Sequence, residues 1–428
     1  MKKVLIVAYG FPPVGGAGVQ RPVKFVKYLP HFGWLPTVLT VDKPSVPVSD
    51  QTLTTDIPPG VKIIRARTYE PSYATKISFS RRPKNGSRVP SLRGIVKKIA
   101  SLFLLPDLQT LWWPHLFIEM FRSAKSEQPA CILVTAPPFS SFVPVTLIGR
   151  MFNIPVVLDY RDEWGFAREN LENSNKGKWA KYIDRIMERY VVRSCAGITA
   201  TNASYISGLQ ESYLKGASKK SSVITNGYDD DDFRHLSSPS SAPLKVRIIY
   251  TGTVWRATSL KNIISAYCAL FRQGDVPKFT IDVYGRVVDQ ELTYLTSPQV
   301  AEFLTIHGYV EHEEIVRHMH DADVLLLSLS DLPGSHKIIT GKIFEYMATG
   351  KHIFAVIPEG ETRAIIENDY DNRTIVDPNN VDDISNKAAS ILSHIGALRG
   401  KQGICPEKYR RFNLTKKLAT FLDEIICT

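Results

Sequence analysis

Apolar residues recur along this chain in two patterns. The first is a short unbroken run of strand length. KVLIVA at residues 3–8, LPTVLTV, VKIIRA, ACILVTA, IPVVLDY and AGITATN succeed one another in the first half. VRIIYTG, FTIDVYG, EFLTIHGYV, DVLLLSLS, KHIFAVI and RTIVD do so in the second. Such runs, with no polar alternation, predict strands buried on both faces, as in a parallel sheet. In the second pattern apolar residues stand three and four apart with charges between them. WAKYIDRIMERYVVRSC, LKNIISAYCALF and EIVRHMHDA follow it and predict amphipathic helices. The two patterns alternate, which predicts an α/β fold with parallel sheets. The alternation breaks at LSSPSSAPL, residues 236–244, a stretch of linker composition, and then restarts. The expected organisation is a Rossmann-like domain over 1–235, a linker at 236–244 and a second Rossmann-like domain over 245–405. A closing helix over 406–428 is expected to pack back on the first domain.

Composition narrows the class. A chain of 428 residues suits two to three domains. Hydrophobic content of 44% with 22% charged residues is that of a globular protein. Cys131, Cys195, Cys268, Cys405 and Cys427 are scattered and form no CxxC, so reduced thiols and a cytoplasmic setting are expected. KKVLIVAYGFPP carries no cleavage pattern, and no run approaches the roughly 20 apolar residues that cross a bilayer. The net charge of +11 is uneven: residues 1–100 carry 17 Lys and Arg against 4 Asp and Glu, and the rest is near neutral. Arg81, Arg82, Lys97 and Lys98 stand beside the helical pattern SLRGIVKKIASLFLL and the aromatic stretch LQTLWWPHLFIEMF. Basic and aromatic residues so arranged suit an anionic membrane surface, peripheral and cytoplasmic. An ordinary surface helix with a solvated charged face fits them as well. No nucleic-acid reading motif accompanies the charge, so nucleic acid is not an expected partner.

Three places carry candidate chemistry. Gly15, Gly16 and Gly18 form a loop after the first strand, with Arg21 in the first turn of the helix that follows. Glycine there lets backbone approach a ligand closely. A dinucleotide fingerprint is not expected despite Asp42 at the end of the second strand. Arg21 stands where the third glycine belongs, and Pro12 and Pro13 lengthen the turn. Asp159 and Asp162 flank the end of IPVVLDY, where open α/β sheets bind ligands. Pairing with Arg161 is the structural alternative. The third place is SHKIITGKIFEYMATG, residues 335–350. A helix is expected there, with Thr340 capping it and Gly350 ending it. Lys342 lies in its first turn, where the macrodipole disfavours a cation unless an anion is bound. Glu345 sits amid apolar neighbours and suits sugar hydroxyls. Together the two suggest a nucleotide diphosphate with its ribose; a solvated Lys and a peripheral Glu are the plainer reading. Asp229 to Asp232, and Asp321 with Asp323, read as turn and helix-junction acids rather than metal ligands. No metal or other cofactor is expected.

FPPVGGAGVQR, VITNGYDDDDF, YTGTVWRATSLKN, HGYVEHEEI and GKIFEYMATGK, in this order and spread over nearly the whole chain, resemble glycosyltransferase family 4. The resemblance implies the GT-B fold, two Rossmann-like doubly wound domains facing a central cleft. It implies a nucleotide-sugar donor in the C-terminal half, UDP-sugar favoured, and a glycan or lipid-linked glycan acceptor in the N-terminal half. Metal-independent transfer with retention, in polysaccharide or lipopolysaccharide assembly, follows from it. Carried over, Glu345 binds the ribose and Lys261 meets the diphosphate. Gly252 admits the donor's close approach, Tyr309 and Val310 sit at the base, and Gly15 to Gly18 face the cleft. The sequence departs from the family at Lys337, where a Glu often stands, and at Thr253, where an Arg often stands. Arg256, Lys337 and Lys342 are the substitutes for that lost charge. No active-site His follows the PPF loop, so Asp162, then Asp159, is the candidate for contact with acceptor or donor sugar. A nucleotide-sugar epimerase and a non-catalytic nucleotide-sugar-binding protein are the alternatives.

Overall fold

The computed structural model describes residues 1–45, 48–73, 75, 104–165, 178–214, 216, 219–234, 236 and 245–427. Arg81, Arg82, Lys97 and Lys98, and all but the first residue of the 236–244 stretch, lie outside the described residues. The chain divides into two compact units, Met1–Thr225 with Thr415–Thr428, and Asn226–Leu414.

The first unit is built on strands β1 (Lys2–Ala8), β2 (Trp34–Val41), β3 (Lys62–Ala66), β4 (Cys131–Ala136), β5 (Val156–Tyr160), β6 (Gly197–Ala200) and β7 (Lys220–Val223). They form one sheet in the order β3-β2-β1-β4-β5-β6-β7. Every neighbouring pair is parallel. All residues of β4, β5 and β6 are buried, which is why these strands read as unbroken apolar runs. The edge strand β7, KSSV, is only partly buried and has no apolar run to announce it. Helices Trp113–Ser126, Phe142–Phe152 and Lys178–Ser194 lead into β4, β5 and β6.

The aromatic stretch at 108–121 does not lie on the surface as a block. Trp112 is fully buried, and its indole donates to the Ala66 carbonyl (3.3 Å). Trp113 donates to the Ser140 carbonyl (2.8 Å), and Leu116 and Met120 face the core. An amphipathic helix has one face to bury, and here Leu116, Met120 and Ala124 fill it.

The last helix, Arg411–Ile426, gives its final turns to the first unit. A Cβ on Gly197 would lie 2.6 Å from Ile425 and 2.9 Å from Phe421. Asp423 pairs with Lys2 (2.9 Å) and accepts from the Trp34 indole (3.0 Å).

The second unit holds β8 (Val246–Thr251), β9 (Phe279–Tyr284), β10 (Leu304–Gly308), β11 (Val324–Ser328), β12 (His352–Val356) and β13 (Arg373–Val376). Their order is β10-β9-β8-β11-β12-β13, again all parallel. In each sheet the strand order reverses once, between β1 and β4 and between β8 and β11. The carboxyl ends of the strands beside such a reversal are where doubly wound sheets take ligands.

Candidate functional site

In the second unit three neighbouring strands end in glycine. Gly252, Gly285 and Gly308 follow or close β8, β9 and β10 with φ of +108°, +130° and +75°. Side chains rarely adopt such values, so glycine is the residue that fits. The three ends are laced together. The Gly252 amide donates to the Tyr284 carbonyl (2.7 Å), and the Gly285 amide to the Gly308 carbonyl (2.6 Å). A Cβ on Gly285 would lie 2.3 Å from the Gly252 carbonyl oxygen. Of the three, Gly285 escapes sequence reasoning, because its role is a backbone contact between strands.

The helix Lys342–Ala348 is fixed against this edge. Tyr346 is buried, and its hydroxyl accepts from the Thr251 amide (2.9 Å) and meets the Thr251 hydroxyl (3.0 Å). Burial pushes the Tyr346 phenol up, so it stays protonated. The Lys342 ammonium lies 4.0 Å from the centroid of the Tyr250 ring, and a Cβ on Gly252 would come within 3.0 Å of it. The lysine is thus half-buried over the end of β8, a cation–π geometry rather than a solvated one.

The helix begins later than the sequence suggests. Its cap is Gly341, with no side-chain hydrogen bond, and the Thr340 hydroxyl is buried without a hydrogen-bond partner. The expected capping by Thr340 is not made. The preceding loop is held from another element: the Thr362 hydroxyl donates to the Ile338 carbonyl (2.7 Å) and accepts from the Thr340 amide (3.2 Å).

Glu345 is half-buried one turn on. Its carboxylate lies 3.8 Å from the ring nitrogen Nε2 of His312, which in turn stands 3.2 Å from Asp232. His312 opens the helix His312–His320 just after Tyr309 and Val310. Tyr309 is exposed and Val310 half-buried. The stretches YDDDDF, HGYVEHEEI and GKIFEYMATGK therefore converge on one carboxylate. The signal for His312 lay in the second of these, but spacing alone did not single it out. Arg256 and Lys261 are exposed, on the turn and at the helix start after β8. That loop is pinned by the Ser259 hydroxyl donating to Glu291 (2.7 Å) and by Tyr294 donating to the same carboxylate (2.5 Å). Lys337 is half-buried in the turn Ser335–Lys337.

In the first unit the candidates Arg21 and Asp159 meet each other. Arg21 holds both oxygens of Asp159, at 2.9 and 2.7 Å. The hydroxyls of Thr135 (2.8 Å) and Thr199 (2.7 Å) complete the carboxylate's partners. Burial pushes the Asp159 carboxyl up, but Arg21 and the two hydroxyls outweigh it and hold it below its ordinary value. Arg161 does not pair with it. The Arg161 guanidinium donates to the carbonyls of Gly18, Pro137 and Ala136, tying the loop after β1 to the loop after β4. A Cβ on Gly18 would lie 2.9 Å from this guanidinium, so Gly18 makes room for Arg161. Gly16, at φ +102°, has open space beside it, and the Gly15 amide donates to the Val48 carbonyl (3.1 Å). Asp162 keeps exposed surface, and the protein packed around its carboxyl pushes it above its ordinary value, countered only in part by Arg161.

No family model matches the chain, and no curated protein matches it. Its likeness is to solved structures. Two parallel sheets flanked by helices, each with one reversal of strand order, match the GT-B fold of these structures. Sucrose-phosphate synthase from Thermosynechococcus elongatus superposes with a TM-score of 0.64 at 12% identity, over 100% of this chain and 95% of its own. HepE of Anabaena, solved in complex with UDP-glucose, gives 0.62 at 14% identity, over 99% and 100% of the two chains. A UDP-N-acetylglucosamine 2-epimerase gives 0.54 at 13% identity, over 97% and 94%.

Proposed function

We propose that this chain is a glycosyltransferase of family 4 type that moves a sugar from a nucleotide-sugar, UDP-sugar in the first instance, to a hydroxyl of a glycan or lipid-linked glycan. The observation that carries the reading is the edge formed by Gly252, Gly285 and Gly308, with Lys342 over it and Glu345 one turn away. Glycine ends admit a diphosphate close to backbone, a half-buried lysine offsets its charge, and a carboxylate accepts from ribose hydroxyls. HepE, bound to UDP-glucose on the same fold, supports the choice of base.

In this mechanism Lys342, with Arg256, Lys261 and Lys337, stabilises the diphosphate as charge develops on it, usually the largest catalytic contribution. Asp162, just past the end of β5, contacts the acceptor hydroxyl or the donor sugar. No metal enters the scheme, and retention is the stereochemical expectation. Asp159, enclosed by Arg21 and two threonines, acts as a positioning residue.

Thermal shift and titration calorimetry with UDP, GDP, ADP, CMP and their common sugars test the donor site. UDP or a UDP-sugar should raise the melting temperature, and Glu345→Ala should weaken binding by about 1–3 kcal/mol with the fold intact. Unchanged affinity in that variant removes the ribose role. The epimerase on the same fold supports a second reading, in which the donor's sugar is epimerised and water, rather than an acceptor alcohol, takes it from the diphosphate.

A further inference from the structure

Four acids in a row, Asp229 to Asp232, follow the turn at Asn226-Gly227. They belong to the second unit, and each has its own task there. The Asp229 carboxylate accepts from the Asp231 amide (3.2 Å) and caps the turn Asp230–Phe233. Asp230 pairs with Arg410 (3.1 Å) and Asp231 with Arg234 (2.8 Å). Asp232 meets the His312 imidazole, 3.2 Å from Nε2. The turn is fixed from beneath: the Phe233 ring meets Tyr228 edge to face and packs on the core to which Phe344 belongs.

The same Nε2 lies 3.8 Å from Oε1 of Glu345. One ring nitrogen therefore stands between two carboxylates from different elements. All three side chains are largely enclosed, with 13% of His312, 16% of Asp232 and 23% of Glu345 exposed. Like charges drawn together where little water reaches repel each other, and a group of opposite polarity between them offsets that. A carboxylate only accepts, so Nε2 carries the hydrogen and gives it to Asp232. The contact with Glu345 is longer than a hydrogen bond and acts as an electrostatic hold.

Glu345 has a use for such a hold. A glutamate has three side-chain torsions, and its helix fixes none of them. To accept from neighbouring ribose hydroxyls it must present its two oxygens in one orientation. His312 biases one oxygen, and Asp232 keeps His312 in place. His312 also opens the helix that follows Gly308, Tyr309 and Val310. The loop assigned to the base thus carries the group that steadies the carboxylate assigned to the ribose.

We propose that His312 is a positioning residue for Glu345, that Asp232 anchors it, and that the pair sets how strongly the site demands ribose hydroxyls on a nucleoside diphosphate. The inference rests on the reading of Glu345 as the ribose carboxylate. It gives the last acid of the Asp229–Asp232 run a part in recognition, two contacts away from the ligand.

Titration calorimetry of the full chain with UDP and with its 2′-deoxy and 3′-deoxy analogues tests it. The parent should prefer UDP over at least one analogue by roughly tenfold or more, and Glu345→Ala should erase the preference. His312→Ala should bring it below about threefold. Asp232→Ala should lower it in the same direction. His312→Gln, whose amide donates at a similar reach, should recover part of it. A change that only loosened the fold would weaken UDP and its analogues alike and leave the ratio as in the parent. Circular dichroism and melting temperature establish that each variant is folded. A His312→Ala protein that keeps the parent's ratio overturns the positioning role while leaving Glu345 on the ribose. A parent with no preference among the three ligands overturns the ribose role and this inference with it. A parent that binds none of them overturns the donor-site reading itself.

Discussion

A carboxylate as enclosed as Asp159 cannot be hydrated, so every partner it has must come from the protein. Arg21 supplies two contacts and Thr135 and Thr199 one each. Removing one member of such a buried pair leaves the other charge stranded, at about 3–5 kcal/mol. Asp159→Asn should therefore be strongly destabilised at neutral pH. The folded carboxyl lies below its unfolded value, so the stability it contributes is present above the unfolded value, about 4, and is lost as pH falls through the folded one. Urea unfolding at a series of pH values should show the gap between parent and variant shrinking below about pH 4. A gap constant through that range would mean that the carboxylate's charge contributes nothing. Asp162 has the opposite sign: its folded value is raised, so its contribution is present at low pH and lost as pH rises. Two acids three residues apart thus respond to pH with opposite sign.

At the scale of elements, the glycine-ended strands set the precision of the proposed donor edge. Gly285→Ala would place a methyl 2.3 Å from a neighbouring backbone oxygen and strain a φ of +130°. A cost of about 1–3 kcal/mol follows, and β8 and β9 must part where Lys342 and Tyr250 meet. The variant should melt earlier and bind nucleotide more weakly. Gly396→Ala, where a methyl meets nothing within 4 Å, is the control and should leave binding unchanged. Much of this was legible in the sequence. KVLIVA, ACILVTA, IPVVLDY and DVLLLSLS are strands because both sheet faces bury them, and a run of apolar residues records that directly. Lys342 and Glu345 stood out because each is out of place in a short buried helix. What stayed hidden is set by tertiary contact. The KSSV edge strand has no apolar run, and Gly285 matters only through the backbone of another strand. Thr340 lost its cap because Thr362 holds the loop instead. His312 meets Glu345 across more than thirty residues of chain.

At the scale of the whole molecule, the linker composition at 236–244 and the change of unit are separate features. The units divide between Thr225 and Asn226, and the second passage comes between Leu414 and Thr415. The two passages run side by side within the second unit: the Tyr228 amide donates to the Tyr409 carbonyl (3.1 Å), and the Arg411 amide to the Tyr228 carbonyl (2.7 Å). Gly227 permits that approach, since a Cβ there would lie 2.1 Å from the Tyr409 oxygen. Stopping the chain after Leu414 should uncover Gly197 and the core positions that Leu418, Phe421, Leu422 and Ile425 fill. Loss of several buried side chains at about 2–5 kcal/mol each exceeds the stability of most domains. The shortened protein should be insoluble or bind the dye ANS, where the full chain does neither. A soluble, cooperatively melting product would mean that the last turns are dispensable.

The return of residues 415–428 to the first unit also orders events on the ribosome. Synthesis delivers the first 225 residues early, yet the helix that seals their sheet follows only after the whole second unit. Until it emerges, the growing first unit leaves β6 and the Trp34 edge uncovered as an unfinished apolar surface. At about 5–20 residues per second that exposure lasts on the order of ten seconds or more, a window in which a chaperone can hold the nascent chain.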